Sequence, residues 1–399
     1  MNKNVVIIGA GPTGLFASSL LLHEGFSVDL YDQKKNPGQK LLLAGKSGLN
    51  ITNNMPLDSF IKAYGPKEKL IEPCLRLFPP EDLRLWLRNL GVETFEGSTG
   101  RIFPVSITAK ELLHIWIDSL NSNKNFNFNT EHRLTKIAKE SLYFETPQNV
   151  FKIKAPLLVM GMGGASYPST GSDGKWNNIL KKIGIHIESF KPMNCGFEYS
   201  WSSHFKENNN YVALKNIKLT HKDISIRGEV MITSYGVEGG PFYRLSREIR
   251  NTIEDMKKAT IYLDLTPDLT QEEIFIRLNR KRGKNSLSNH LRKQLNITPL
   301  KISLLRELIE KKIFDDYSLL SQALKKVPLA LERTRPLEEA ISSSGGVSFN
   351  ELDEHFMLIK HPGWFTAGEM VDWDAPTGGY LLQACFSTAF TVVEGIKKL

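Results

Sequence analysis

Three glycines near the N-terminus, Gly9, Gly11 and Gly14, have the GxGxxG spacing within the segment GAGPTG. In such a turn the first glycine permits a sharp bend, the second lets the backbone approach a pyrophosphate, and the third allows a helix to pack closely. The first amides of that helix would bind phosphate oxygens. Asp32, at the end of the next strand, would accept hydrogen bonds from a ribose. These residues predict dinucleotide binding; the alternative is a glycine turn that packs tightly and binds nothing.

The C-terminal segment GWFTAGEMVDWDAPTGGYLLQACF carries a second set of candidate residues. A strand ending in AGE places Glu369 where a polyol can bind, and the TGGY turn places Gly378–Tyr380 at the start of a long apolar helix. Backbone amides at a helix N-terminus stabilise negative charge, which suits the ring of a reduced flavin. The alternative is an ordinary turn in which Thr377 caps the helix.

The loop GQKLLLAGKSGLNITNN follows Asp32 and is rich in hydrogen-bond donors, namely Lys40, Lys46, Asn50, Thr52 and Asn53. Ammonium and amide groups on a glycine-containing loop predict contact with the pyrophosphate or the flavin edge. The alternative is a solvated basic loop.

Two further sets of cations have a functional and an ordinary interpretation. Arg101, in the segment GRIFP, is the candidate substrate contact, because its guanidinium could bind an anion above the flavin. The alternative is that Arg101 forms a surface salt bridge. The basic run from Arg277 to Lys284 is a solvated helix face, or it binds acidic partners.

Other kinds of site are not indicated. Cys74, Cys195 and Cys385 are widely separated and have no CxxC pair, so neither a disulfide framework nor a zinc site is predicted. None of the nine histidines has a recognisable nucleophile partner, which argues against a catalytic triad. No metal is expected.

The elements that must position these residues begin with a βαβ unit. Asn4–Ile8 is a β-branched run, LFASSLLLHEGF has helical spacing and stops at Gly25, and SVDLYD reads as a second strand. The later segment GMGGAS, which contains Gly161 and Gly163, follows a buried strand at 155–160 but has Ser166 in place of a third glycine. It fails as a second dinucleotide fingerprint.

The rest of the chain changes character twice. Short alternating runs from Asn125 to Lys154 predict an antiparallel meander, with FNFN as its first strand. Residues 193–265 alternate as strands do, 268–325 look helical from a capping box at Thr270 and Glu273, and a last apolar helix covers Gly379–Lys398.

Composition sets the protein class. The chain has 399 residues, 41% apolar and 24% charged, which excludes a small module and a disordered or fibrous protein. A net charge of +8 is too modest to establish nucleic-acid binding. No secretory signal or membrane span is recognised, so a cytoplasmic location is expected.

Six blocks, GAGPTG, LLLAGKSGLNITN, GRIFP, GGASYPSTGSDG, GGVSFNELD and AGEMVDWDAPTGGYLLQACF, resemble the bacterial FAD-dependent flavoproteins called aminoacetone oxidase-like or NAD(P)/FAD-dependent oxidoreductases. Where many of those proteins carry GGGRCN, this chain has GKSGLN at Gly45–Asn50. The resemblance implies an α/β fold, with a Rossmann-like, glutathione-reductase-like FAD domain formed by 1–192 and 326–399. It also implies a β-rich inserted domain at 193–265 and a small helical domain at 266–325.

The expected function is therefore that of an FAD-dependent oxidoreductase. Non-covalent FAD would accept hydride from NAD(P)H, the candidate electron donor, or from a small organic substrate such as an amine. The alternative is a flavin-dependent protein that binds or modifies nucleic acid, although a small-molecule partner is favoured. The positions expected to contact FAD, from the residues and from the resemblance together, are Gly9, Gly11, Pro12, Thr13, Gly14, Asp32, Gln33, Lys40, Gly45, Asn50, Gly161, Gly163, Gly368, Glu369, Thr377, Gly378, Gly379 and Tyr380.

Overall fold

The computed structural model describes residues 3–399, with Ser47 described by its backbone alone. The chain divides into two compact units. Unit 1 comprises the chain up to Met193 together with Leu337–Leu399, and unit 2 is the insertion Asn194–Pro336.

The strands are, in chain order, β1 (Asn4–Ile8), β2 (Ser27–Tyr31), β3 (Thr52–Asn53), β4 (Thr94–Glu96), β5 (Arg101–Pro104), β6 (Phe126–Asn129), β7 (Arg133–Ala138), β8 (Ser141–Glu145), β9 (Val150–Lys154), β10 (Leu158–Met160), β11 (Ile187–Met193), β12 (Phe197–Glu198), β13 (Val212–His221), β14 (Ile224–Thr233), β15 (Gly236–Glu238), β16 (Ala259–Asp264), β17 (Val327–Leu331), β18 (Arg333–Thr334), β19 (Ser342–Val347) and β20 (Trp364–Thr366).

The α-helices are, in chain order, α1 (Pro12–His23), α2 (Gln39–Ala44), α3 (Leu57–Lys62), α4 (Glu68–Leu77), α5 (Pro80–Asn89), α6 (Ala109–Asn121), α7 (Trp176–Lys181), α8 (Ser203–Asn208), α9 (Gly240–Arg244), α10 (Ser246–Met256), α11 (Gln271–Leu278), α12 (Leu287–Leu295), α13 (Pro299–Leu308), α14 (Tyr317–Lys325) and α15 (Tyr380–Lys397).

A five-stranded parallel sheet, in the order β20-β10-β1-β2-β6, forms the centre of unit 1. Strands β1, β10 and β20 are short apolar runs that are almost entirely buried, as is typical of parallel strands covered by helices. The predicted βαβ unit and the Rossmann-like fold class are confirmed. The carboxyl ends of β1, β10 and β20 lie side by side, where such sheets bind ligands.

One strand of the predicted meander was assigned wrongly. FNFN forms β6, which pairs parallel to β2 at the edge of the central sheet. The separate antiparallel sheet contains only β7, β8 and β9. Alternating residues identified a strand correctly, but its pairing partner is set by the crossover through α6, which carries the chain back beside β2.

Helix α15 packs along α1 and α4 and closes the core of unit 1. Phe16 of α1 lies 5.0 Å from both Trp86 and Phe386 and 5.1 Å from Phe78, measured between ring centroids. Large buried rings contribute much of the apolar area removed from water. The N-terminal and C-terminal parts of unit 1 therefore share one hydrophobic core.

Unit 2 is built on a seven-stranded antiparallel sheet, in the order β17-β16-β13-β14-β15-β12-β18. Because β17 pairs with β16 and β18 pairs with β12, residues 327–334 lie in this unit rather than with the C-terminal segment. Helices α11 to α14 follow β16, and α11 begins with the predicted capping box of Thr270 and Glu273. The division of this insertion into a β-rich and a helical domain stays a prediction.

Candidate cofactor site

The three fingerprint glycines have different surroundings. A Cβ atom built on Gly9, whose φ is +105°, would lie 2.4 Å from the Gly161 carbonyl oxygen, and one on Gly14 would lie 1.9 Å from the Gly9 oxygen. A Cβ atom on Gly11 would meet no atom within 4 Å. Neighbouring backbone explains two of the glycines, whereas Gly11 faces open space of the kind that a pyrophosphate would fill.

Helix α1 begins at this open space, and no described side chain caps its first backbone amides. Its N-cap is Gly11, Pro12 occupies the first turn, and the described residues supply neither a side-chain cap nor an acidic residue there. The free amides and the positive end of the helix dipole favour an anion. This end of α1 fits a phosphate group of a dinucleotide.

Asp32 closes the turn from the opposite side. Its carboxylate accepts hydrogen bonds from the backbone amides of Ala10, at 2.6 Å, and Lys34, at 2.7 Å. Burial raises the pKa of Asp32, while the two amides oppose that shift. The side chain is held at the rim of the cavity, where its remaining lone pairs fit ribose hydroxyl donors.

A polar cluster lies beside the turn and joins distant parts of unit 1. The Lys40 ammonium donates to Glu369 Oε2 at 2.8 Å and to Ser166 Oγ at 2.7 Å. Glu369 Oε1 accepts the backbone amide of Ser343 at 3.0 Å. The Glu369 side chain is only 12% exposed, so this ion pair is largely shielded and fixes the carboxylate that the sequence assigned to a polyol.

Cys385 of α15 reaches the same region. Burial raises the pKa of its thiol to about 12, and the nearby Glu369 carboxylate adds to this effect. The cysteine is therefore a neutral thiol at physiological pH, with none of the thiolate character of a redox cysteine.

A cavity of about 380 Å³ unites these groups, and all its lining residues belong to unit 1. The predicted site residues that line it are Gly9, Gly11, Pro12, Thr13, Asp32, Gln33, Lys40, Gly161, Gly163 and Glu369. They come from the N-terminal turn, the loop after β2, the turn after β10 and the segment after β20. Concave sites with a few convergent polar groups are typical of cofactor binding.

Three glycines that the sequence predicted to contact FAD, Gly14, Gly45 and Gly368, lie where other protein atoms leave no room for a side chain. A Cβ atom on Gly368 would lie 2.2 Å from Thr13 Oγ1, and one on Gly45 would lie 2.3 Å from the Cβ of Ala109. Gly14 meets the Gly9 backbone, as described above. Their surroundings account for the absence of side chains without any ligand.

The remaining predicted residues gather at a second place, where the small sheet β4-β5-β3 meets the N-terminus of α15. Gly379 has a φ of +93°, and a Cβ atom on it would lie 2.4 Å from the Thr52 carbonyl carbon. Asn53 Nδ2 donates to the Gly378 oxygen at 3.3 Å. Half-buried Thr377 precedes this contact, and the Tyr380 oxygen accepts the Tyr64 hydroxyl at 2.7 Å.

Two features of this second place fit a ligand. Asn50 Nδ2 donates to Thr52 and Ile102, yet Asn50 Oδ1 is buried without a partner among the described residues. Arg101 is exposed next to Gly378 and forms no ion pair within 3–399. A buried acceptor normally has a donor, which a ring N–H of a flavin would supply.

Some lining residues had not been singled out from the sequence. His132, Arg133, Leu134 and Thr135, at the start of β7, form one wall of the cavity, and Thr170–Asp173 with Trp176 form another. The GGASYPSTGSDG block carried a signal for the second wall. Nothing local marked the first, because β7 reaches the site only through the folding of the meander sheet.

The described residues form neither a cluster of metal ligands nor a membrane-crossing helix. Across residues 3–399, no three His, Cys, Asp or Glu side chains are grouped as metal ligands. Within that same range, each helix is too short or too polar to cross a bilayer.

Comparison with curated proteins shows similarity over the full length. The chain is 24% identical to ribosomal RNA dihydrouridine synthase of Escherichia coli K12 over 416 residues, covering 98% of both chains. It is 23% identical to 3-dehydro-bile acid delta(4,6)-reductase of Clostridium scindens over 407 residues, again covering 98% of both.

Comparison with solved structures supports the fold. The open conformation of a flavocytochrome c3 fumarate reductase has a TM-score of 0.53 at 14% identity, covering 99% of this chain and 78% of that one. The 3-ketosteroid-delta4-(5alpha)-dehydrogenase of Rhodococcus jostii RHA1 has a TM-score of 0.53 at 13% identity, covering 99% and 96%.

A family model also matches nearly the whole chain. Residues 3–395 match the model described as HI0933-like protein Rossmann domain, which spans both segments of unit 1 and the insertion. The chain therefore belongs to the HI0933-like Rossmann family of FAD-dependent oxidoreductases.

Proposed function

We propose that this protein is an FAD-dependent reductase that transfers hydride from NAD(P)H to an electron-poor carbon–carbon double bond. A proton adds with the hydride, so that the double bond is reduced while NAD(P)H is oxidised to NAD(P)⁺. The names of two relatives support this reaction class: dihydrouridine is uridine with a reduced ring double bond, and a delta(4,6)-reductase acts on double bonds.

The cavity in unit 1 carries the proposal, because Gly11 leaves open space at the uncapped start of α1. Amides of Thr13 and Gly14 would bind the pyrophosphate there, and Asp32 would accept the ribose hydroxyls. Glu369, held by Lys40, would accept hydroxyls of the flavin's polyol chain. FAD would be bound non-covalently through these contacts, and the Cys385 thiol in the cavity wall would stay neutral because burial raises its pKa.

The second place would hold the flavin ring. Asn50 Oδ1 offers a buried acceptor, and the amides at the start of α15 offer positive potential without an acidic residue in the first turn. When bound, the isoalloxazine supplies the two-electron chemistry of hydride acceptance and donation. The protein supplies position and electrostatics.

An anaerobic titration tests this function. Holo-protein is mixed with NADH or NADPH, flavin absorbance is followed, and an α,β-unsaturated ketone or uridine is then added. We expect one nicotinamide to bleach the flavin and an alkene to restore its colour without oxygen. Failure of both nicotinamides to bleach it, or recovery with oxygen alone, would contradict the proposal.

Arg101 is proposed to bind an anionic group of the nicotinamide or the substrate. Loss of a charge-assisted hydrogen bond costs about 1.5–3 kcal/mol, so Arg101→Ala should lower kcat/KM for the active nicotinamide about ten- to a hundredfold. FAD content should not change. Stopped-flow flavin reduction measures this, with Arg88→Ala, an exposed arginine of unit 1, as the matched control. Equal rates in both variants would leave Arg101 as an ordinary surface residue.

A further inference from the structure

The charge of this protein is divided unequally between its two units. Unit 1 has 26 Lys and Arg against 26 Asp and Glu, whereas unit 2 has 25 against 17. The whole excess of +8 therefore lies in the 143 residues from Asn194 to Pro336. A segregated charge creates a local field that attracts polyanions, even when the total is modest.

Within unit 2 the excess is concentrated further. Residues 274–306 contain nine Lys and Arg and no Asp or Glu. The exposed members of this stretch that lie on α12 and on the segment joining it to α11 define a basic surface, which consists of Arg280, Lys281, Arg282, Lys284, Arg292 and Lys293. Of the predicted basic run, only Arg277 and Leu278 lie within a helix, so most of that run forms a connecting segment.

The basic surface is not neutralised by carboxylates. Among the described residues, its cations contact neutral groups: Arg280 donates to Gln294 at 3.5 Å, and Lys293 donates to Asn285 at 3.2 Å. Elsewhere in unit 2 surface cations do pair with acids, as Arg335 does with Glu198 at 2.9 Å. An exposed cluster without carboxylate partners attracts an external anion, and added salt weakens that attraction.

We propose that the basic surface docks RNA. Asn279, Asn285, Asn289 and Gln294 lie near these cations in the sequence, and their amide groups can also bond to phosphate and ribose oxygens. Phe275, 41% exposed on adjoining α11, offers a ring on which a base can stack. A membrane would need a continuous apolar face, but only Phe275 and Ile276 are exposed large apolar residues in this stretch.

This inference rests on the proposed function in one respect. A uracil ring contains a carbon–carbon double bond conjugated to a carbonyl, which is the electron-poor bond that the proposed reductase requires. RNA docked on unit 2 would thus contain the class of bond to be reduced. A relative is named for a ribosomal RNA product of this kind.

The test uses the full-length holo-protein and a fluorescein-labelled single-stranded RNA oligonucleotide of mixed sequence, in a series of salt concentrations. The variant R280Q/K281Q/R282Q/K284Q removes four charges from the basic surface. The matched control K69Q/K110Q/K152Q/K154Q removes four exposed charges from unit 1. Thermal melting and FAD content show that both variants are folded.

We expect the first variant to bind RNA about tenfold or more weakly, and its log–log salt slope to fall by about 3, since each lost phosphate contact removes about 0.7. The control should stay within about twofold of wild type. Equal weakening in both variants, or none in the first, would overturn the proposal. So would binding to phosphatidylserine vesicles without binding to RNA.

The nicotinamide titration separates this proposal from the proposed function. Both variants should retain flavin reduction by NAD(P)H, because every residue lining the cavity is in unit 1. If RNA binds as expected but no nicotinamide reduces the flavin, the reductase proposal fails and the docking surface stands. If the flavin is reduced but the first variant keeps its RNA affinity, only the docking surface fails.

Discussion

At the scale of single residues, each glycine of the GAGPTG turn lies either against neighbouring backbone atoms or beside open space. Gly9 and Gly14 cannot carry a side chain because backbone atoms occupy its place. At Gly11 the place is empty, so the structure tolerates a side chain there and only a ligand would exclude it. This difference makes Gly11 the position at which folding and cofactor binding can be tested separately.

Gly11→Val should therefore yield a folded protein without FAD. The valine methyl groups would occupy the space proposed for the pyrophosphate, and FAD binding should weaken at least about tenfold, or 1.4 kcal/mol. The flavin-to-protein absorbance ratio after purification measures this. Gly240→Val is the matched control, because Gly240 also faces open space but lies in unit 2. Full FAD occupancy in Gly11→Val would remove the main support for the assignment.

Asp32 should make FAD binding depend on pH. Burial raises the pKa of Asp32 in the folded protein, because it disfavours the ionised carboxylate. The folding stability that Asp32 contributes is therefore lost as pH rises through that raised pKa. Ribose hydroxyls donate to the ionised form, so FAD affinity should fall as pH drops through the raised pKa towards the ordinary carboxyl value. Titration of apoprotein with FAD across this acidic range measures the effect.

The variant Asp32→Asn should abolish this pH dependence and weaken FAD about ten- to a hundredfold at neutral pH, as loss of a charge-assisted hydrogen bond predicts. An affinity profile in the variant that still follows the wild-type curve would show that another group is titrating.

At the scale of elements, α15 connects the two places that the cofactor would occupy. Its buried Gln383 accepts the Thr52 hydroxyl at 2.8 Å and donates to the Phe78 oxygen at 2.9 Å. Further along the helix, Phe386 packs on Phe16 of α1. The N-terminal half of the helix that would present its amides to the flavin ring is thus fixed by polar bonds and by aromatic packing.

Gln383→Ala should destabilise unit 1. It leaves the buried Thr52 hydroxyl without this acceptor, while the Phe78 carbonyl keeps the Ser387 hydroxyl at 2.7 Å, so we expect a loss of about 1–3 kcal/mol. Flavin fluorescence during a thermal melt reports release of the cofactor and should show a lower Tm. Gln322→Ala, at an exposed site on α14, should change stability by less than about 0.5 kcal/mol. Matching Tm values for the two variants would contradict this role.

At the scale of the whole molecule, cofactor chemistry and surface charge belong to different units. The cavity is built within unit 1, which has equal numbers of acidic and basic residues, while unit 2 carries the positive excess. The insertion leaves unit 1 after Met193, and the returning chain pairs Ser342 with Met193, so the two chain ends are neighbours.

Replacing residues 194–336 with a short Gly-Ser linker should therefore preserve FAD binding. The paired residues Met193 and Ser342 hold the ends close, and no residue that lines the cavity is removed. Flavin content and circular dichroism of the shortened chain measure the outcome. A folded chain without FAD would show that unit 2 is required for the cofactor site.

Much of the site follows from local patterns. The GAGPTG turn, the acidic residue after β2 and the AGE and TGGY segments could each be recognised, because a turn, a strand and a helix start depend on residues close in sequence. The same logic identified FNFN as a strand but not its partner, since pairing is decided by where the preceding helix returns the chain. His132–Thr135 had no local signal for the same reason.

The sequence by itself determined the βαβ unit, the family resemblance and the glycine turn between β1 and α1. Only the tertiary structure decided that Lys40 pairs with Glu369, 329 residues away, and that Asn50 Oδ1 is buried without a partner. It also decided that Gly11 faces open space while Gly14 does not. Such facts depend on the packing of distant segments, because occupied volume and hydrogen-bond partners are properties of the folded chain and of no short stretch within it.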